Sequence, residues 1–385
     1  MHPLRPLSRC LSTLFESLPP RQPGAQQGIR PHGRGTKPVR LLRVRVLHLC
    51  LPFAHSTGAV FSPGQGHSQR AGCQVSEART LEIRTSPHIH SGDSTDAIMR
   101  NVAIAVLPVA IFAVFAYGLS ALLLLSMAVV TCVLSEYWLC RRGRREPTVG
   151  DWSAVVTGLL FGLTLPPGLP LWMAVVGGFF AIALGKLLFG GLGYNVFNPA
   201  LVGRVVLQGA FPVAMTTWSA PFTVDRFFAL LPSTLTFPFT VPAIDATSGA
   251  TPLAAMKFAG EATASKDLAL GLVGGSTGEA SAVLILLGGA YLAYRNMLNW
   301  RIPATILLTV FLFSGLFYLL DPEVYPAPTF MLFAGGLFLG AVFMATDMVT
   351  APLASLGVVL YGVLIGTMVV VIRLWGGLPE GVQYS

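Results

Sequence analysis

Residues 102–118 read Val-Ala-Ile-Ala-Val-Leu-Pro-Val-Ala-Ile-Phe-Ala-Val-Phe-Ala-Tyr-Gly, and residues 120–139 read Ser-Ala-Leu-Leu-Leu-Leu-Ser-Met-Ala-Val-Val-Thr-Cys-Val-Leu-Ser-Glu-Tyr-Trp-Leu. Glu136 is their one formally charged side chain. A helix needs ~20 apolar residues to cross a bilayer core, somewhat fewer when flanking residues snorkel, so the two stretches predict consecutive spans. Working outward, seven further apolar stretches follow, near 152–166, 170–188, 198–214, 278–294, 302–320, 328–345 and 354–374. The expected fold is an all-α polytopic integral membrane protein with about nine transmembrane helices and one long extracytoplasmic loop. Composition agrees: 53% of the 385 residues are hydrophobic, only 11% are charged, and the mean hydropathy is +0.67, far from soluble domains. Glycines at Gly177-Gly178, Gly288-Gly289, Gly335-Gly336 and Gly340 suit close helix contact in lipid or a flat ring lying against the backbone.

Basic residues in short loops mark the cytoplasmic side. Arg141, Arg142, Arg144 and Arg145 follow the second span, and Arg295 and Arg301 flank the loop after the sixth. Counting alternately from either anchor puts the N-terminus inside and the 215–277 loop outside. The two anchors agree, which tests the span count between them. Trp152, Trp172, Trp300 and Trp375 fall near predicted span ends and read as interfacial anchors.

The formal charge of +8 is not spread evenly. Residues 1–78 hold 10 Lys+Arg against 2 Asp+Glu, which leaves 15 of each sign in the remainder. The basic pI therefore carries no message about nucleic acid, and no nucleic-acid partner is expected. Residues 1–78 are rich in Arg, Pro, Gly, Ser and His without a sustained period, so a disordered basic extension or a misassigned start is expected there. Residues 79–101 form a cytoplasmic or interfacial lead-in. A first membrane block of five spans covers 102–214, the extracytoplasmic loop 215–277, and a second block of four spans 278–385. Of five cysteines, Cys10, Cys50 and Cys73 lie in the N-terminal extension, and Cys132 and Cys140 lie in or at the end of a span. No pair has metal-ligand spacing and the clustered thiolates of an iron–sulfur site are missing, so no metal is expected.

Between the two blocks lies a polar passage, Ile244-Asp245-Ala246-Thr247-Ser248-Gly249-Ala250-Thr251-Pro252-Leu253. Its three hydroxyls, its carboxylate and its flexible Gly249 can present a side-chain oxygen for modification, and Pro252 prevents a helix from starting earlier. By residue types alone, Ser-Gly-Ala-Thr-Pro is a surface turn.

The passage resembles the flavin-attachment motif of the RnfD/NqrB family, membrane subunits of the Rnf and Na+-translocating NADH:quinone reductase complexes. Other stretches in the same order carry the likeness: Ser86-Pro-His-Ile-His-Ser-Gly92, Gly191-Leu-Gly-Tyr-Asn-Val-Phe-Asn-Pro-Ala200, Phe343-Met-Ala-Thr-Asp347 and Trp375-Gly-Gly-Leu-Pro-Glu-Gly-Val382. The resemblance runs from about Arg79 to the end. It implies that Thr251 carries FMN through a phosphoester, installed by a flavin transferase on the outer face, with Asp245, Ser248 and Gly249 as recognition and shaping residues. Family members continue into one more helix, so ten spans with the last missing are implied.

A hydroxyl is no redox group, so Thr251 would be a tether, with the flavin supplying the redox chemistry. Asn195 and Asn198, on the predicted cytoplasmic side, read either as a polar wall for a second, non-covalent flavin (riboflavin in the quinone-reductase relatives) or, for Asn198, as a helix cap ahead of Pro199. Lys186 and Arg204 either balance a flavin anion or anchor helix ends. Asp347, ending the eighth span, is a candidate for flavin contact or cation passage, with Thr346 and Thr350 as oxygen partners. Glu279 suits a helix N-terminus, and Glu136 reads as a snorkelling side chain. His88 and His90 form a His-x-His with no third ligand in view, which favours an ordered cap over a metal site.

The resemblance implies the flavin-carrying D-type subunit of an Rnf-type ion-translocating oxidoreductase in a bacterial inner membrane. It would relay electrons between ferredoxin and NAD+ and couple them to Na+ or H+ movement, with the other members of the complex, lipid and the flavin transferase as partners. Such a chain would not be active alone. The lead-in before the first span is short, which favours Rnf over the B-type subunit of the quinone reductase. A secondary transporter is the rival from another class, since Gly-interrupted spans also suit it.

Overall fold

The computed structural model describes residues 94–143, 148–228, 230–238, 240, 248–249, 251–260, 263–279, 281–377 and 382. Asp245, Ala246, Thr247, Ala250, Arg144, Arg145, His88, His90, Leu378–Gly381 and the 1–78 extension lie outside the described residues.

Helix α1 (Thr95–Tyr117) starts where the Ser94 hydroxyl accepts the Ala97 N–H, with Asp96 in the first turn. Both features complement unpaired amides at a helix N-terminus. α1 stops at Gly118, whose φ of +71° is left-handed and whose Cβ, were there one, would sit 1.9 Å from the Arg226 carbonyl oxygen. Only glycine fits there. The same carbonyl accepts the Leu119 N–H that opens α2 (Leu119–Arg142), at 2.9 Å.

Among the described residues, four helices are long and apolar enough to cross a membrane: α1, α2, α7 (Arg301–Leu320) and α8 (Ser355–Trp375). The other five expected spans do contain helix, but none as one full-length rod. α3 (Ser153–Thr164) and α5 (Pro199–Ala210) have 12 residues each, α6 (Ala282–Tyr294) has 13, and α4 (Leu171–Ile182) runs into a π turn, Ala183–Leu187. Twelve residues rise only ~18 Å. The eighth stretch is split into Pro328–Phe333 and Leu337–Met344 around Ala334-Gly335-Gly336. Glycine and proline at the breaks explain the shortening: neither sustains a helix interior.

Non-helical backbone is tolerated at membrane depth only where protein covers it, and here three side chains close three breaks. Thr277 donates to the carbonyls of Gly162 (2.7 Å) and Leu165 (3.1 Å) at the end of α3, reinforced by Thr277 N to Leu165 O (3.0 Å). Arg373 of α8 donates to the Met331 carbonyl and, at 2.8 Å, to Ala334 O. Asn198 donates to Met344 O at 3.3 Å.

Small residues set the helix spacing. A Cβ on Gly203 of α5 would lie 2.8 Å from both Gly177 O and the Ala181 Cβ of α4, and one on Gly288 of α6 would lie 2.6 Å from the Ala105 carbonyl of α1. Of the other expected glycines, Gly177 meets Phe161 and Leu207, Gly178 meets Thr131 and Gly289 meets Val342 in the same way. The described parts of the 215–277 stretch cover one end of the bundle: Tyr117 Oη exchanges hydrogen bonds with the backbone of Gly275 (3.2 Å), Leu231 N donates to Ser120 Oγ (3.0 Å), and Trp218–Ser219 pairs antiparallel with Ser248–Gly249.

Because Gly203 has no free space toward α4, Gly203→Leu is expected to lower stability by about 2 kcal/mol or more through overpacking. Thermal unfolding in detergent would show it as a clear drop in Tm, whereas Gly209→Ala, facing open space, should not.

Candidate functional site

Two polar centres lie at opposite ends of the same helices. Met99 of α1 lines the first, while Tyr117, 18 residues on, bonds to Gly275 near the second. Eighteen helical residues span ~27 Å. Arg141, Arg142, Arg295 and Arg301 fall at the helix ends nearest the first centre.

At the first centre, the π turn ending α4 turns Lys186 into the protein. Its ammonium donates to Glu136 Oε1 of α2 at 2.6 Å and to Ser153 Oγ of α3 at 2.7 Å. The Thr148 hydroxyl donates to the same Glu136 oxygen. Lys186 is 2% exposed and Glu136 0%, so neither snorkels nor anchors a helix end. The snorkelling reading of Glu136 and the helix-anchor alternative for Lys186 are corrected: they are charges 50 residues apart that neutralise each other inside the bundle. Arg204 is also buried on α5 rather than held at the interface. A carboxylate and an ammonium are tolerated there because they are paired and hydrogen-bonded. Glu136 Oε2 has no hydrogen-bond partner among the described residues.

Ser153 and Lys186 form one wall of a cleft whose other walls carry Asn195, Asn198, Thr346 and Asp347. Asn195 Nδ2 donates to Asp347 Oδ2 at 3.1 Å, joining positions 152 apart. Asn198 does both things its sequence allowed: its Oδ1 caps α5 by accepting Ala200 N (3.0 Å), and its amide reaches the cleft-side carbonyl of Met344. Asp347 also accepts Val349 N at 3.3 Å. Burial pushes its carboxyl above the usual carboxylate value, while the bonds from Val349 and Asn195 pull it back. The cleft combines amide donors and acceptors, a cation and an acid between apolar walls. Such groups can hydrogen-bond a planar heteroaromatic ring with imide edges. The close walls, which leave about 90 Å³ of space, would have to part slightly to admit one. Asn198 also borders a second, apolar cavity of about 780 Å³ between α5, α7 and α8, reached by Tyr361 and Thr350. No period or motif marked it, because its walls come from helices distant in sequence.

At the second centre, Thr251 sits directly before a helical turn, Pro252–Ala254, with Pro252 at the first position as expected. Its hydroxyl accepts the Ala254 N–H at 3.2 Å and the residue is 1% exposed. The hydroxyl is thus a helix cap rather than a presented surface group. Leu253 packs with Leu268, Phe330 and Ala334, and Lys257 Nζ donates to Arg373 O at 2.9 Å and to the Gly376 carbonyl. Ser248 and Gly249 pair with Trp218–Ser219.

Residues 82–385 match the model of the NQR2, RnfD, RnfE family. The chain belongs to this family. Among curated relatives of this family member, one from Clostridium ljungdahlii, named as the D component of a proton-translocating ferredoxin:NAD(+) oxidoreductase complex, is 38% identical over 79% of this chain and 89% of its own length. Another, from Acetobacterium woodii, named as the D component of the Na(+)-translocating counterpart, is 41% identical over 79% of this chain and 89% of its own. A third, the D component of an ion-translocating oxidoreductase complex of Alcanivorax borkumensis, is 41% identical over 80% and 91%.

In this family member the structure unites Asn195, Asn198 and Asp347, with Lys186 beside them, and holds Thr251 apart. Sequence reasoning missed the Glu136–Lys186–Ser153–Thr148 cluster. The signal was there, since a charge in an apolar run is costly and rarely idle, but its partner was not. Trp152, Trp300 and Trp375 lie exposed at element ends, while Trp172 is half-buried, edge-on to Phe211 at 5.1 Å. Glu279 lies just ahead of α6 and accepts from Ser276 Oγ at 3.1 Å.

Two outcomes follow from these contacts. Lys186→Met leaves a buried carboxylate uncompensated and is expected to cost about 3–5 kcal/mol. Adding Glu136→Gln to that variant should restore much of the loss, a comparison made by thermal unfolding of both variants. For Asp347, a raised acid favours the folded state most when protonated, so its contribution is present at low pH and lost as pH rises through the raised value. Between about pH 4 and about pH 8, the Tm of Asp347→Asn relative to the parent should therefore shift in the variant's favour; an unchanged difference would contradict it.

Proposed function

We propose that this chain is the D-type subunit of an Rnf-type ion-translocating oxidoreductase of a bacterial cell membrane, working with the other members of that complex to relay electrons between ferredoxin and NAD+ while Na+ or H+ moves. The names of the relatives favour this over the B-type subunit of the quinone reductase, which the same family model also covers. A secondary transporter gives no reason for the hydroxyl-rich Thr247-Ser248-Gly249-Ala250-Thr251 motif. The single observation that carries a relay is the pair of polar centres at opposite ends of α1, one holding Thr251 and the other Asn195, Asn198 and Asp347.

In this reading Thr251 carries FMN as a phosphoester, and a second flavin occupies the Asn195–Asp347 cleft. Bound flavin supplies one- and two-electron chemistry that no side chain here offers. The protein's part is to position and to bias. Asn195 and Asn198 offer amide edges to a ring's imide, and Asp347 fixes Asn195. Lys186, its charge offset by Glu136 and its ammonium also held by Ser153, fixes the cleft wall in place. The apolar walls exclude water. Basic residues at the first centre's end argue for the cytoplasmic side there and the outer side for Thr251.

Co-expression with a flavin transferase should give a fluorescent band on a denaturing gel that disappears in Thr251→Ala. Asn195→Leu should keep that band yet lose about 1–3 kcal/mol of affinity for a non-covalent flavin, read as a lower flavin content after mild extraction. A fluorescent band persisting in Thr251→Ala removes the tether.

A further inference from the structure

The hydroxyl proposed as the attachment point is sealed in the folded chain. Thr251 is 1% exposed, and its Oγ1 already accepts the Ala254 N–H at 3.2 Å. Its carbonyl accepts Ala255 N at 2.8 Å. Two further clamps hold the segment. Leu253 is buried among Leu268, Phe330 and Ala334, in a place so tight that a Cβ on Gly335, at φ +67°, would come within 2.9 Å of its Cδ1. Past the hydroxyl, Lys257 donates to the carbonyls of Arg373 and Gly376 at the end of α8. A transferase must bring a phosphorus atom into line with Oγ1 and remove its proton, and neither reaction partner can approach an oxygen with almost no exposed surface.

We propose that the attaching enzyme acts on the undocked segment, so that flavin transfer to Thr251 takes place before residues 251–259 reach the sealed arrangement on α8 and the Pro328–Phe333 helix, which is open only to the unmodified chain. This rests on the reading of Thr251 as the attachment site. The step is a phosphoryl transfer from a flavin-nucleotide pyrophosphate donor. The Thr251 Oγ–P bond forms as the pyrophosphate P–O bond breaks. The other mononucleotide half of the donor leaves, the hydroxyl proton passes to a base of the transferase, and no electron changes hands. Docking then competes with modification: the Ala254 cap and the Leu253 and Lys257 clamps withdraw the acceptor. The transferase therefore recognises an extended peptide rather than a folded surface, and a chain that docks first escapes labelling.

The full chain is synthesised in a cell-free system with lipid nanodiscs, purified transferase and FAD being supplied either during synthesis or only after folding is complete. Flavin fluorescence per chain is followed over time. Labelling during synthesis is expected to be at least tenfold faster than labelling of the folded chain. Leu253→Ala and Lys257→Ala, which release separate clamps, should each speed labelling of the folded chain. Hydrogen exchange of the unmodified parent should show the 251–259 amides protected, and the two variants less so. Equal rates in both arms, with the parent segment protected, would overturn the order of events while leaving Thr251 as the attachment site. Labelling in neither arm would remove the site itself, and this inference with it.

Discussion

A backbone amide or carbonyl left unpaired in hydrocarbon costs several kcal/mol, and this chain breaks its helices repeatedly at membrane depth. The fold depends on each break being closed from elsewhere. Thr277 closes the end of α3, Arg373 closes the Ala334–Gly336 break, and Asn198 closes the chain after Met344. Each of these residues is far in sequence from the carbonyl it satisfies. Asn198 thereby ties the first membrane block to the second, Thr277 ties the end of the 215–277 stretch to the first, and Arg373 ties two parts of the second, by hydrogen bonds as well as by apolar contact, which in lipid provides little drive of its own.

The same breaks create the polar centres. A helix that ended cleanly at the interface would leave no polar backbone within the bundle. The π turn at Ala183–Leu187 and the irregular chain after it let Lys186, Asn195 and Asn198 enter the interior together. On the opposite side of the cleft, the π turn Gly340–Met344 delivers Asp347. The buried Glu136–Lys186 pair costs desolvation and gains little net stability. What it does is join α2, the end of α4 and the start of α3 beside the cleft. At the far end, beside the tightly packed Leu253, the Thr251 hydroxyl serves as a helix cap.

The glycines show how one residue type served several ends. Gly118 permits a left-handed turn under Arg226, Gly335 permits the break that Leu253 fills, and Gly203 and Gly288 let backbones approach. From composition alone these roles cannot be told apart, because the reason for lacking a Cβ is always an atom on another segment.

What the sequence by itself determined is the membrane class, the places of the nine apolar stretches, the common side of the basic ends, the start of a helix at Pro252 and the cap at Asn198. These are local properties, set by hydropathy and by backbone chemistry within a few residues. Tertiary structure alone decided that only four stretches are full-length helices, that Glu136 meets Lys186, that Asn195 meets Asp347, and that Thr251 is buried. Each of these depends on contacts between residues tens to more than a hundred positions apart, and a periodicity of 3.6 residues carries no record of which distant face a side chain will meet.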